Sequence, residues 1–502
     1  VRHHDRATPR TTPARTATAS ATAVAARAVG VTAALAAGLL CATPSVAAPA
    51  KSAAAPGATT AARSAAAPKA DFDGDGYAET VAAAPTATVS GKSYAGFLTV
   101  TYGSAKGADV SRRQLFSANS AGVPGSAETY GAFGRDTAAR DFDGDGVGDL
   151  AVSGNKGVVI LWGEKGKGLT SATQVSGVEN VTRLVAGDFD GDKKPDLAVG
   201  TGDFDQGLTV LYGGFGRDGK AARSDSRETG HLFGPTSLTA GDVTGDGVDD
   251  LVTTHAFEEM SESSEFFQGS TDGLATSSEH VTDAETGVIA DVDKDGFGDL
   301  VVRTVPGGVV EDLPHDHGTL KVLYGSADGP GAHRTSTLTQ NSTGVPGVNE
   351  KGDEFGKALA AGDVNGDGYA DIAVGVPGED IGSGASGKDA GAVVQLLGGK
   401  NGLTGAGAKN WDQGSAGVPG VVEAGDRFGA ALTMTDTDRD GRDDLAVGAP
   451  TEDGGSNAVD AGAVWVLRGT TRGLTADGVV SYGPKTLGAP EAGSHLGAGF
   501  AR

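Results

Sequence analysis

DFDGDGVGDL, residues 141–150, sets four carboxylates within nine positions and separates them with glycine. Like charges this close repel, and glycine is entropically costly to order. Something must offset both. The pattern returns six times: DFDGDGYAE from Asp71, DFDGDKKPD from Asp188, DVTGDGVDD from Asp242, DVDKDGFGD from Asp291, DVNGDGYAD from Asp363 and DTDRDGRDD from Asp436. The steps between starts are 70, 47, 54, 49, 72 and 73 residues. A recurrence of this size marks an architecture in which each copy is one supersecondary unit.

The surroundings repeat as well. A short apolar run follows the acidic stretch (LAVSG, LAVGT, LVTTH, LVVRT, IAVGVP, LAVGAP). After a loop comes another, such as FLTVTYG (97–103), VVILWG (158–163) or VWVLRG (464–469). Val- and Leu-rich runs bounded by glycine read as strands. A turn then leads to a weaker strand, and one more (FGRDTAARD, FGKALAAGD, FGAALTMTD) precedes the next acidic stretch. About four strands per unit is the blade pattern of a β-propeller. The expected fold is all-β, a seven-bladed β-propeller of four-stranded antiparallel blades. Residues 493–502, GSHLGAGFAR, align with 425–434, GDRFGAALTM. The C-terminal strand is therefore expected to complete the first blade, removing an exposed sheet edge.

Composition agrees. Of 502 residues 83 are glycine, 38% are hydrophobic and 5% aromatic, which suits many short strands and turns. A formal net charge of -25 argues against a nucleic-acid partner and suits a cation binder.

Arg2, Arg6, Arg10, Arg15 and Arg27 precede an apolar run of 13 residues from Val29 to Cys41, and TPSVAAPA follows. Residues 1–48 read as a secretory signal peptide cleaved after Ala47 or Ala48, because the run is too short to span a bilayer. The initial Val fits a bacterial GTG start codon translated literally. Residues 49–69, rich in Ala and Pro, read as a flexible leader, and 70–502 as the propeller. The only cysteine, Cys41, would leave with the signal, so no disulfide is expected. The product is expected to be extracellular, with no membrane span.

Acidic residues at positions 1, 3, 5 and 9 with glycine at 4 and 6 resemble half of an EF-hand loop. Alternating oxygen ligands, with the carbonyl of position 7, suit a hard cation of six to eight ligands. Asp-Gly pairs also make plain turns, but seven copies in register favour the metal. The cation would turn mutual repulsion into shared attraction. The expected ligands are Asp71, Asp73, Asp75 and Glu79 in loop 1, and Asp141, Asp143, Asp145 and Asp149 in loop 2. Loop 3 offers Asp188, Asp190, Asp192 and Asp196, and loop 4 Asp242, Thr244, Asp246 and Asp250. Loop 5 offers Asp291, Asp293, Asp295 and Asp299, loop 6 Asp363, Asn365, Asp367 and Asp371, and loop 7 Asp436, Asp438, Asp440 and Asp444. Calcium, up to seven ions, is preferred to magnesium because a crowded protein cage suits the larger ion. Transition metals would need His or Cys ligands. Loop 3 carries Lys193 and Lys194 and is expected to be the weakest site.

FGKALAAGDVNGDGYADIAVGVP (355–377) and FGAALTMTDTDRDGRDDLAVGAP (428–450) resemble the FG-GAP repeat of integrin α-subunit propellers. The similarity covers about residues 70–502, although repeats three to five lack a clear FG start and the final Pro. The resemblance implies a seven-bladed propeller with calcium in these loops. It also implies roles that range from adhesion and ligand binding to association with hydrolases and lyases.

In an antiparallel blade successive loops alternate between faces. The acidic loops join strands one and two and share a face with the turns between strands three and four. The long loops 377–391, 450–462 and 305–318 fall on the other face. So do the connections that carry NSAGVPG (119–125), NSTGVPG (341–347) and GSAGVPG (414–420). Long loops grouped at one end of a rigid scaffold are where ligands usually bind. His315-Asp316-His317 reads as a solvated loop. No serine elbow, HExxH or phosphate loop appears. Glu311, Asp312, Glu379, Asp380, Glu452 and Asp453 leave carboxylate-pair chemistry open. Trp162 and Trp465 read as packing, Trp411 as a ligand contact. The expected function is a secreted noncatalytic adhesion or ligand-binding module for protein or glycan, on the face opposite the calcium loops, with no catalytic residue assigned. The alternative is a calcium-dependent extracellular hydrolase or lyase acting on polysaccharide or phospholipid. A purely structural scaffold is a third reading.

Overall fold

A computed structural model describes residues 70–201, 207–257, 260–304, 317–455 and 458–502. The expected signal peptide and leader, and Glu311, Asp312, His315 and Asp316, lie outside these residues.

Blade 2 shows why the sequence folds this way. Its strands are Thr137–Arg140, Asp149–Gly154, Gly157–Glu164 and Gly168–Gln174, paired in that order and all antiparallel. The second is wholly buried, and the third is buried except for Glu164. Both are covered on two faces by neighbouring blades, so they read as unbroken apolar runs rather than as alternation. The fourth strand meets solvent and carries exposed Thr170 and Ser171.

Seven such four-stranded sheets form the ring, and blade 4 adds a small hairpin, Ala256–Phe257 with Met260–Ser261. Each blade–blade interface holds its own hydrophobic cluster. Ile160 and Trp162 of blade 2 pack with Leu197 and Val199 of blade 3, for example, and Val322 of blade 5 with Val374 of blade 6. Residues of all seven blades, among them Ala139, Val185, Ala240, Val288, Ala361 and Thr433, line a central cavity of about 490 Å³.

The ring closes as expected. Gly499–Phe500 pairs with Thr80–Ala84, matching Phe500 to Ala82 and Gly499 to Ala83. Arg502 continues the contact into blade 2, its N–H donating to the Thr137 carbonyl and its carbonyl accepting from Ala139. The cluster at this seam, with Phe97, Val464, Leu496 and Phe500, is built like the other six.

One expectation is refined. The FG pairs do not begin the inner strands. Phe133, Phe355 and Phe428 are buried plugs in the turn before them, and the strands start at Thr137, Leu359 and Ala431. The glycine of the GAP segment answers this turn. A Cβ on Gly448 would sit 2.0 Å from the Gly497 carbonyl oxygen, and one on Gly375 would sit 2.1 Å from that of Gly429. The two halves of the repeat signature are thus one contact between adjacent blades.

Candidate metal centre

Each acidic loop but the first leaves the innermost strand of its blade, the first being preceded only by Ala70 because blade 1 takes its innermost strand from Gly499–Phe500, and the loops fold on their own carboxylates. In loop 2, Asp141 Oδ1 accepts the N–H groups of Gly144 and Asp145 at 2.8 and 3.1 Å, and Oδ2 accepts that of Gly146 at 2.8 Å. Asp145 Oδ1 accepts from Val147 at 2.9 Å. Carboxylates at positions 1 and 5 therefore shape the turn before any ion enters. Loop 6 repeats the pattern through Asp363 and Asp367.

Position 9 has a structural duty as well. The two oxygens of Asp149 accept from Phe142 N, inside the loop, and Gly163 N, at the end of the third strand. Asp196, Asp250, Asp299, Asp371 and Asp444 make the same bridge. Burial pushes the carboxyls of Asp149, Asp196, Asp299 and Asp371 up to about 7, and that of Glu79 to about 9. A carboxyl removed from water beside other carboxylates is costly to ionise, and a bound cation reverses that cost.

The loops also hold one another. The position-8 N–H of one loop donates to the position-1 carbonyl of the previous loop: Gly148 to Asp71 at 2.7 Å, Asp249 to Asp188 at 2.9 Å, Gly298 to Asp242 at 2.7 Å, Ala370 to Asp291 at 3.0 Å, Asp443 to Asp363 at 2.9 Å, and Ala78 to Asp436 at 3.2 Å. Loop 3 has Pro195 at this position. Proline has no N–H to give, so the clasp is missing between loops 2 and 3.

Ligand oxygens converge in five loops. The groups Asp71, Asp73, Asp75 and Glu79; Asp141, Asp143 and Asp149; Asp188, Asp190 and Asp196; Asp291, Asp293 and Asp295; and Asp436, Asp438 and Asp440 each bring one oxygen per residue within 4.8 Å of the others, close enough to hold a metal ion. Loops 4 and 6, with Thr244 and Asn365 at position 3, offer fewer carboxylates. The donor set fits a hard cation on a second count. Glu79 Oε1, Asp188 Oδ1, Thr244 Oγ1 and Asp293 Oδ1 are buried with no hydrogen-bond partner. Buried acceptors normally find a donor, and a calcium ion would satisfy these four.

Loop 3 differs as its sequence implies. Lys193 holds the left-handed conformation where glycine is usual, with φ 68°. Its ammonium lies 3.5 Å from Asp188 Oδ2, and that of Lys194 lies 2.8 Å from Asp192 Oδ2.

Arginines at the position-3 carboxylates were not legible in the sequence. Arg112 reaches Asp73 at 2.5 Å, Arg217 reaches Asp143 at 2.7 Å, Arg223 reaches Asp190 at 3.6 Å, Arg334 reaches Asp293 at 2.7 Å, and Arg468 pairs with Asp438. The first four stack on Tyr102, Trp162, Tyr212 and Tyr324. They come from different places. Arg112, Arg223 and Arg334 lie on or beside fourth strands, Arg468 ends a third strand, and Arg217 crosses from the turn of blade 3 to loop 2. No single spacing announces them. That crossing also places the turns between third and fourth strands on the acidic face.

On the other face, Glu379 accepts from Gln340 and Glu452 from Gln413, each at 2.6 Å. Trp411 departs from its expected role. It is half-buried against the blade 6–7 cluster rather than presented to a ligand, while Trp162 and Trp465 are buried as expected.

Comparison with known proteins agrees with this geometry. The FG-GAP repeat matches residues 180–220, 355–394 and 428–467, and an FG-GAP-like repeat matches 141–199. Integrin alpha-PS2 of Drosophila melanogaster is 29% identical over 218 residues, 39% of this chain and 15% of that protein. Phosphatidylinositol-glycan-specific phospholipase D of Mus musculus is 32% identical over 169 residues, 33% of this chain and 18% of that protein. The chain thus spans less than a fifth of the length of these relatives. A solved Agrocybe aegerita lectin that recognises non-reducing terminal N-acetylglucosamine is 12% identical, covers 82% of this chain and 93% of its own, and has a TM-score of 0.44. The chain is a seven-bladed propeller with FG-GAP repeats, similar to integrin α, and its repeat three matches despite lacking a clear FG start.

Proposed function

We propose that the chain is a secreted, calcium-loaded propeller that binds an extracellular protein or glycan, without catalysis, on the face opposite its acidic loops. One observation carries the choice of face. Among the described residues seven large hydrophobic side chains are exposed, and six of them, Tyr94, Tyr130, Leu232, Val348, Val421 and Val459, lie in loops between second and third strands or in blade-to-blade connections. Apolar side chains gathered on one face of a soluble scaffold favour an interaction surface. Tyr94 and Tyr130 stack with ring centroids 5.3 Å apart, a platform of the kind that binding sites use. Calcium would occupy the opposite face, setting blade spacing and hence the spacing of the ligand loops.

The test is retention of the full chain, in millimolar calcium, on immobilised extracellular proteins, insoluble polysaccharides and lipid vesicles, with the supernatant assayed for product. Retention without product, lost on joint Tyr94→Ser and Tyr130→Ser substitution, supports the binding role. Product that depends on the protein overturns it in favour of a calcium-dependent hydrolase or lyase. That second reading is favoured by the contact between the Glu452 and Asp426 carboxyls on the proposed ligand face, where burial raises both above the usual range and the neighbouring Asp426 raises Glu452 further.

A further inference from the structure

We propose that the arginines on the position-3 carboxylates are built-in counter-charges, one for each loop that carries a fourth carboxylate, and that they offset its repulsion before calcium binds. The proposal rests on the calcium reading above.

Loops 1, 2, 3, 5 and 7 carry four carboxylates at positions 1, 3, 5 and 9, and each has an arginine on the third-position Asp. Loops 4 and 6 carry three, because Thr244 and Asn365 replace that Asp. Their blades are built without arginine altogether: the chain has none from residue 228 to 302, and none from 335 to 426. A fourth carboxylate and an arginine thus arrive together or not at all. The arginine is supplied from a fourth strand, from the end of a third strand, or from a neighbouring blade, so the shared feature is the charge and not the route. Counting the four ligand positions and the position-3 arginine alone, four carboxylates with one guanidinium and three carboxylates by themselves leave the same surplus of three negative charges; Arg442 on Asp440 in loop 7 and Lys294 on the Asp367 carbonyl of loop 6 add positive charge from other positions.

Loop 5 shows how arginine and cation coexist. Arg334 takes Asp293 Oδ2 at 2.7 Å, while Asp293 Oδ1 is buried with no hydrogen-bond partner. One oxygen is neutralised from outside and the other is left for the ion. Tyr324 backs the guanidinium, whose carbon lies 3.6 Å from the ring centroid, and fixes it in place.

The prediction is two-sided. Removing the guanidinium should leave four mutually repelling carboxylates in the calcium-free loop, and should deepen the attraction for a divalent ion. Arg334→Gln is therefore expected to lower the melting temperature in chelator and to tighten one calcium equivalent about tenfold. The double variant Asp293→Asn with Arg334→Gln recreates the arrangement of loop 6. In it, most of the calcium-free loss should disappear, because the charge that needed balancing is gone. A merely structural arginine would cost the same stability with either residue at 293. Calorimetric titration of the full chain with calcium, ion counting by native mass spectrometry, and melts with and without chelator read these quantities. Unchanged or weakened calcium binding in Arg334→Gln, or an equal loss in both backgrounds, overturns the proposal. A parent chain that takes up no calcium rejects the calcium reading itself, and with it this proposal, before any variant is made.

Discussion

Asp249 donates its backbone N–H to the carbonyl of Asp188 at 2.9 Å, and its carboxylate accepts the backbone N–H of Asp188 at 2.9 Å in return. This two-way clasp joins loops 3 and 4. Asp443 and Asp363 repeat it between loops 6 and 7 with the same two distances of 2.9 Å. The acidic face is therefore joined by hydrogen bonds at six of its seven loop-to-loop contacts, besides gathering the carboxylates that could hold a cation. Asp249→Ala keeps the backbone half and removes the carboxylate half. A loss of about 1–3 kcal/mol is expected from the unpaired N–H of Asp188. Chemical denaturation of the variant checks it, and a loss below about 0.5 kcal/mol, ordinary for a surface change, would contradict it.

The contact between Gly448 and Gly497 makes a sharper prediction. A methyl group at Gly448 would press on the Gly497 carbonyl, which belongs to the segment that closes the ring. Gly448→Ala should cost about 3 kcal/mol or more through displaced backbone. It should open the seam of blades 7 and 1 first. Hydrogen exchange would show lost protection at residues 80–84 and 499–502 ahead of the rest, whereas uniform loss would argue that the seam has no special weakness.

The face opposite the acidic loops should make stability depend on pH. Burial, with Glu379 and Glu350 nearby, pushes Asp353 up to about 7. Asp426 and Glu452 form an equivalent pair one blade on and are also raised. The folded protein thus keeps protons that the unfolded chain releases near pH 4. This contribution is complete below the unfolded pKa and is lost as pH rises through the folded one, near 7 for Asp353. In Asp353→Asn the decline in stability between about pH 4 and pH 7 should be shallower than in the parent. Melts across this range at fixed calcium measure it, and identical slopes would place the pH dependence elsewhere.

Loop 3 should fill last. Its two lysines lie on Asp188 and Asp192, and Pro195 breaks the clasp to loop 2. Replacing Lys193 with Gly and Lys194 with Val should strengthen this site alone. A calcium titration in which the weakest equivalent disappears bears it out. An unchanged weakest equivalent assigns the weakness to another loop.

Much of this architecture was legible because the physics is local and repeated. The Asp ladder of 141–149 shapes its own turn, and the apolar runs after it must be buried on both sides. The alignment of 493–502 with 425–434 carried the closure, which the pairing of Phe500 with Ala82 realises. What escaped depends on contacts between blades. Arg217 is 74 residues from the Asp143 it serves. The Gly448–Gly497 approach joins two glycines that sequence presents only as turn formers. Trp411 looked like a free ring after a polar turn, but the neighbouring blade covers it.

The repeated carboxylates are proposed above all as cation sites. Counting calcium ions on the chelator-stripped full chain by native mass spectrometry, as calcium is raised to the millimolar range, tests this most directly. Several ions per chain, approaching seven, are expected, with dissociation constants on the order of 10⁻⁴ to 10⁻³ M. Stability should also rise as they bind, by about 2.7 kcal/mol for a site at a hundred times its dissociation constant, and the melting temperature should climb with it. A chain that stays ion-free and melts at the same temperature with and without calcium would contradict it.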